Sequence, residues 1–112
     1  EMLFADPTLV SRQLLDDLLR YKRIDGVTEL LAALGGALFG GGRQSALPAT
    51  QLPAATLPLL VLWGADDRVI PAAHAKAAPA GAMVALLPGA GHMVMMEKAG
   101  EVNALLRKQM TP

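Results

Sequence analysis

The sequence contains no cysteine, which excludes disulfide bonds, thiolate catalysis and metal sites built on cysteine ligands. Aromatic residues make up only 4% of the 112 residues, and the formal net charge is zero. Without excess positive charge the chain has little to neutralise phosphates, so we expect no nucleic-acid partner and no membrane partner. No apolar run reaches the roughly 18 residues that a membrane-spanning helix needs. This composition is compatible with one small domain in the cytoplasm.

The first residue is Glu1 rather than Met, and no basic-then-apolar leader follows it. This start is typical of a fragment. We therefore expect a longer parent protein, whose preceding part would be the partner of this segment.

Residues 1–45 predict a helical hairpin. Asp6 followed by Pro7 is a typical helix start, and Asp25 is a candidate cap for a second helix. Such a hairpin covers a ligand pocket or binds a partner. Apolar residues recur at helical spacing in both helices: Leu9, Val10, Leu14, Leu15, Leu18 and Leu19 in the first, and Val27, Leu30, Leu31, Leu34 and Leu38 in the second.

Residues 40–56 show no periodicity and are rich in glycine and proline, which predicts a loop, with a linker over 46–57. The glycine run is followed by Arg43 and Gln44. A phosphate-binding loop of the Walker type needs a lysine and then Ser or Thr at that point. We therefore expect no phosphate site there.

Residues 58–112 predict the order strand, helix, strand, helix. The apolar runs 58–63 and 82–87 are typical of parallel strands covered on both faces. Two such strands cannot satisfy their own outer edges, so the sheet is expected to continue in another segment. The helices are predicted over 71–78 and 97–110, with Val102, Leu105 and Leu106 facing inward in the second.

Polar residues follow both predicted strands. Asp66 and Asp67 come after the first, and His92 comes after the second. The carboxyl ends of neighbouring parallel strands lie at one edge of a sheet, so Asp67 and His92 are expected to meet there. A carboxylate that accepts the Nδ1 proton of an imidazole leaves Nε2 to remove a proton from a nucleophile. The alternatives are a turn role or an Arg68 ion pair for Asp67, and an exposed loop position for His92.

No nucleophile accompanies this pair. The only serines are Ser11 and Ser45, and neither lies in a G-x-S-x-G turn. We predict no metal site, because His74 lacks ligand partners in the sequence. We also expect Asp66 to be exposed or to cap a turn, Trp63 to line a pocket or pack, and the methionines Met93, Met95 and Met96 to fill space beside the histidine.

Two segments resemble α/β hydrolases. Residues 64–71, with Asp67 three residues after Gly64 and a proline soon after, are similar to the acid loop of that family. Residues 89–92, with Glu97 beyond them, are similar to its histidine loop and last helix. The resemblance implies an α/β fold, here the C-terminal portion of an α/β-hydrolase fold, with Asp67 as triad acid and His92 as general base. Ala99 stands where many members have proline.

Residues 3–7, 18–27 and 41–44 resemble the cap helices of one subgroup, the hydrolase-like domain of the dihydrolipoyllysine acetyltransferase component of acetoin dehydrogenase complexes. This resemblance implies acetyl transfer between a lipoyl group and coenzyme A in the parent, with no cofactor bound by this segment. Without nucleophile or oxyanion hole the segment alone is expected to be inactive. Two alternatives stay open: a hydrolase of small esters or carbon–carbon bonds, and a non-catalytic homodimer.

Overall fold

The computed structural model of the protein describes residues 2–44, 50–52 and 56–111. The predicted linker at 46–57 therefore lies largely outside the described residues, and the division of the chain at that point stays a prediction. The described helices and strands are α1 (Arg12–Lys22), α2 (Val27–Phe39), β1 (Leu60–Gly64), β2 (Met83–Leu87), α3 (Val94–Glu97) and α4 (Ala99–Met110), with 3-10 turns at Pro7–Leu9, Gly40–Gly42 and Ala72–Ala77.

The two strands form a parallel pair, as the apolar runs predicted. Leu60 lies opposite Met83, and Gly64 lies opposite Leu87, so both strands end at the same edge. Val84 and Leu86 of β2 remain 43% and 48% exposed. Strands this apolar are typical of sheets covered on both faces, so in the described part of the chain the sheet lacks part of its cover.

A small apolar core lies under the histidine side of the sheet. Val102 of α4 is buried with residues of β2 and the loop after it, and Leu105 packs against this group. Leu106, predicted to face inward, is 42% exposed. That prediction is wrong because one residue further along a helix turns the side chain by about 100°. The buried members are Leu87, Ala90, Val94 and Val102.

The hairpin forms, but both of its helices begin differently from the prediction. Pro7 begins only a 3-10 turn, which Asp6 caps by accepting a hydrogen bond from Thr8 N (2.9 Å). Helix α1 starts at Arg12, where the Ser11 hydroxyl accepts from Leu14 N at 3.1 Å. Gly26, with φ of +82°, takes the N-cap position expected of Asp25. Asp and Ser are equally preferred at an N-cap, so the sequence offers two candidate starts and the chain uses the second for α1.

The hairpin's leucines are largely open to solvent. Within the described ranges neither α1 nor α2 contains a buried residue, and Leu30 is 58% exposed. No single helix among the described residues is long and apolar enough to cross a membrane. Helix α1 and residues 27–42 meet that length and composition test only as a pair, bent by 86°.

The other two predicted helices also differ in detail. The segment after β1 forms a 3-10 helix at Ala72–Ala77 rather than an α-helix. The last helix, predicted over 97–110, begins at Ala99 as α4 and is preceded by the short helix α3; the two are separated by a break at Lys98, where the backbone leaves the helical region (φ −129°, ψ 42°). This break turns the chain after the histidine loop.

Candidate active site

The loops that follow the two strands bring Asp67 and His92 together. Asp67 Oδ2 lies 3.0 Å from His92 Nδ1. The Asp67 side chain is only 4% exposed, whereas that of His92 is 33% exposed. The pair predicted from the sequence is therefore in hydrogen-bond contact, and the imidazole is closer to the surface than the carboxylate. Its catalytic role stays a prediction.

The second oxygen of the Asp67 carboxylate organises its own loop. Oδ1 accepts hydrogen bonds from Val69 N at 2.8 Å and Ile70 N at 2.9 Å. The indole Nε1 of Trp63 donates to Ile70 O at 3.1 Å and braces the same turn. The turn role and the histidine contact are thus compatible, because each uses a different oxygen.

These contacts decide the charge of Asp67. Burial acts to raise the pKa of its carboxyl, but the hydrogen bonds from His92, Ile70 and Val69 together hold this pKa below its usual range. An ionised carboxylate can only accept hydrogen bonds. We therefore assign the proton of a neutral His92 to Nδ1, which leaves Nε2 with a free lone pair.

The acid loop is also joined directly to the histidine loop. Asp66 N donates to Ala90 O at 2.9 Å, and Asp66 Oδ2 accepts from Gly89 N at 2.8 Å. A Cβ at Gly64 would collide with the carbonyl oxygens of Ala90 and Gly91. Asp66 is exposed, as expected, but its link between two loops distant in sequence was not predicted.

On the other side, the histidine loop contacts the start of the chain through Glu97. Glu97 Oε1 accepts from Gly91 N at 2.6 Å, and Oε2 accepts from Ala5 N at 2.7 Å and Asp6 N at 3.3 Å. In the sequence, Glu97 stands out only through the resemblance to the histidine loop and as the predicted first residue of the last helix. Its separation from residue 5 left no local signal of this contact.

The remaining predictions for this region have mixed outcomes. His74 is exposed. Met95 and Met96 are 54% and 49% exposed, so the expectation that they fill space beside the histidine is wrong. Val94 is the residue of α3 that packs into the core, and the next two positions turn outward.

A cleft of about 570 Å³ opens beside the acid loop. Its charged residues are Asp6, Asp66 and Asp67 against the single guanidinium of Arg68. Across the described ranges, with their gaps at 45–49 and 53–55, no group of three or more His, Asp or Glu residues could hold a metal ion. The cleft is therefore an acidic surface beside Asp67.

Residues 2–105 match the sequence profile of the alpha/beta hydrolase family. The chain belongs to this family, and its parallel strand pair with helices is consistent with a part of that fold.

Two relatives have a more specific description than the family as a whole. The chain is 62% identical over 110 residues to the dihydrolipoyllysine-residue acetyltransferase component of the acetoin cleaving system from Cupriavidus necator, covering 98% of this chain. It is 49% identical over 110 residues to the component of the same description from Pseudomonas putida, covering 95% of this chain. The chain spans 29% of the length of each relative. No solved structure matches it. The predicted similarity to this subgroup is confirmed.

Proposed function

We propose that this chain supplies the acid and the base of a Ser-Asp-His triad in an α/β-hydrolase-fold acetyltransferase used for acetoin cleavage. The observation that carries the proposal is the 3.0 Å contact between the buried carboxylate of Asp67 and Nδ1 of the partly exposed His92. A buried carboxylate behind an accessible imidazole is the arrangement that general-base catalysis requires.

His92 Nε2 removes the hydroxyl proton of a serine as that oxygen attacks the acyl carbonyl, and the same nitrogen then protonates the leaving group. Asp67 stabilises the imidazolium that forms between these steps. The serine is expected from outside this chain, because the Ser11 hydroxyl caps α1 and neither Ser11 nor Ser45 lies in a G-x-S-x-G turn of the sequence. Accordingly, the segment alone is inactive.

The relatives' description supports an acetyl group as the unit transferred and a lipoyl group as its carrier in the complete protein. Coenzyme A is the proposed acceptor. The described cleft does not fit the phosphates of coenzyme A, because three carboxylates surround its single arginine. We therefore place the coenzyme A site on parts of the complete protein other than this cleft.

The test uses the complete natural protein. Transfer of acetyl from acetyl-dihydrolipoamide to coenzyme A is measured beside hydrolysis of p-nitrophenyl acetate, for wild type, His92→Ala and the matched surface control His74→Ala. We expect both rates to collapse in His92→Ala and to persist in His74→Ala. Full transfer in His92→Ala would overturn the proposal. Hydrolysis without transfer in the wild type would instead favour a small-ester or carbon–carbon bond hydrolase with the same acid and base.

A second candidate rests on the exposed apolar residues of α2 and β2. A homodimer that buries these faces would serve association rather than catalysis. Its apparent stability would then rise with protein concentration. A monomer whose sedimentation does not change with concentration would count against it.

A further inference from the structure

Glu97 is the residue that joins the histidine loop to the segment that leads into the helical hairpin. Its carboxylate accepts three backbone N–H groups, from Gly91 in the loop and from Ala5 and Asp6 in the entering segment. The contacts to Gly91 and Ala5 are partly buried. A charged acceptor at 2.6–2.7 Å from two donors forms hydrogen bonds of the stronger class.

The same segment contacts the loop on the far side of the histidine. Met93 N donates to Leu3 O at 3.0 Å, and Phe4 between these contacts is 95% buried, with 5% of its surface exposed. A Cβ at Gly91 would lie 2.7 Å from Ala5 N, so the two backbones are in close contact. The backbone of His92 is thus held both before and after the residue itself.

Within the described ranges, the imidazole has one hydrogen-bond partner among the side chains. Its side chain is 33% exposed, and Asp67 is the hydrogen-bond partner of its Nδ1. Since a hydrogen bond of this kind weakens steeply as its geometry departs from the optimum, the position of the loop backbone decides whether Nδ1 reaches Asp67.

We infer that Glu97 is a positioning residue, which holds the histidine loop against residues 3–6 so that His92 Nδ1 stays on Asp67. This inference rests on the proposed function for its kinetic consequence but not for its structural one. Residues 3–6, which lead into the hairpin, then help to hold His92 in position.

The experiment compares Glu97→Ala and Glu97→Gln in the complete natural protein labelled with ¹⁵N-histidine. The matched control is Glu101→Ala on α4, because Glu101 is exposed and its side chain makes no hydrogen bond within the described ranges. The His92 signals are assigned by their loss in His92→Gln. The readouts are the hydrogen-bonded Nδ1–H signal of His92, the thermal midpoint, and kcat and KM for p-nitrophenyl acetate.

We expect Glu97→Ala to broaden or abolish the Nδ1–H signal and to lower kcat about ten- to a hundredfold, because small displacements of a catalytic group have effects of that size. KM should change by less than about twofold, since substrate binding is not the step affected. Glu97→Gln retains one acceptor oxygen, so its Nδ1–H signal and its kcat should lie between those of Glu97→Ala and the wild type. If Glu97→Ala does not fold, Glu97→Gln is compared with Glu101→Ala alone.

An unchanged Nδ1–H signal and kcat in both Glu97 variants would overturn the inference, even if the thermal midpoint falls. Failure of the proposed function has a different signature. It would be seen as full activity in Asp67→Asn, whatever the Glu97 variants do to the Nδ1–H signal.

Discussion

The loops that follow the two strands and the helical hairpin are stabilised by different kinds of contact. In the loops after β1 and β2, carboxylates and backbone groups form hydrogen bonds across distant parts of the sequence, and Ala90 is fully buried. The hairpin of α1 and α2 has no buried residue within the described ranges, and its hydrogen bonds are local. The site region is therefore stabilised by hydrogen bonds between its own loops. The leucines of the hairpin, in contrast, are not buried by any of the described residues.

The largest expected effect is on catalysis. Asp67→Asn in the complete protein keeps the shape of the side chain but can offer an N–H where His92 Nδ1–H needs an acceptor, which favours the wrong tautomer. We expect kcat for acyl transfer to fall by about 10⁴-fold, as measured by steady-state kinetics. Asp16→Asn, an exposed change on α1, is the control, and a fall of less than about tenfold in Asp67→Asn would contradict the proposed role.

Replacing glycine by alanine should change the free energy of unfolding in opposite directions in the two regions. Gly64→Ala places a Cβ against the carbonyl oxygens of Ala90 and Gly91, so we expect a loss of about 3 kcal/mol or more in the free energy of unfolding. Gly36→Ala within α2 meets nothing within 4 Å among the described residues and should stabilise by roughly 0.5–1 kcal/mol. Urea unfolding of the complete protein measures both. Destabilisation by Gly36→Ala would show that another part of the protein packs on that face.

Acid should destabilise the protein through protonation of Asp67. The lowered pKa of Asp67 means that the unfolded chain takes up a proton at this residue at a higher pH than the folded chain does. Its contribution to stability is complete above the unfolded pKa and is lost as the pH falls through the folded value. In denaturation curves recorded between about pH 6 and pH 2, Asp67→Asn should flatten this acid-dependent loss. An unchanged pH slope in Asp67→Asn would be the contrary result.

The smallest effect is expected at the start of α1. Ser11→Ala removes the hydroxyl that accepts from Leu14 N, at a cost of about 1 kcal/mol. Ser11→Asp keeps an acceptor at this position and should restore most of the loss. Circular dichroism during thermal unfolding measures both variants. Equal midpoints for Ser11→Ala and the wild type would mean that the cap does not contribute.

The strands and the Asp67–His92 pair could be predicted because their signals are local. An apolar run marks each strand, and a polar loop directly follows it. The start of α1 was misplaced because Asp6 and Ser11 are both good caps, and the sequence alone does not say that the chain turns away from the helix at Val10. The hydrogen bonds of Asp66 and Glu97 could not be predicted, since each joins segments whose approach depends on the whole fold.

The contacts of the Glu97 carboxylate also affect when the site can form during synthesis of the chain. Its bond to Ala5 joins residues 92 positions apart, and closing a flexible loop of that size costs about 4 kcal/mol of chain entropy. Contacts of such long range slow folding, and ribosomes add only about 5–20 residues per second. The residues that enter the hairpin are therefore made several seconds before the glutamate that anchors them. During synthesis His92 can take its final place only after the last helix has begun to emerge.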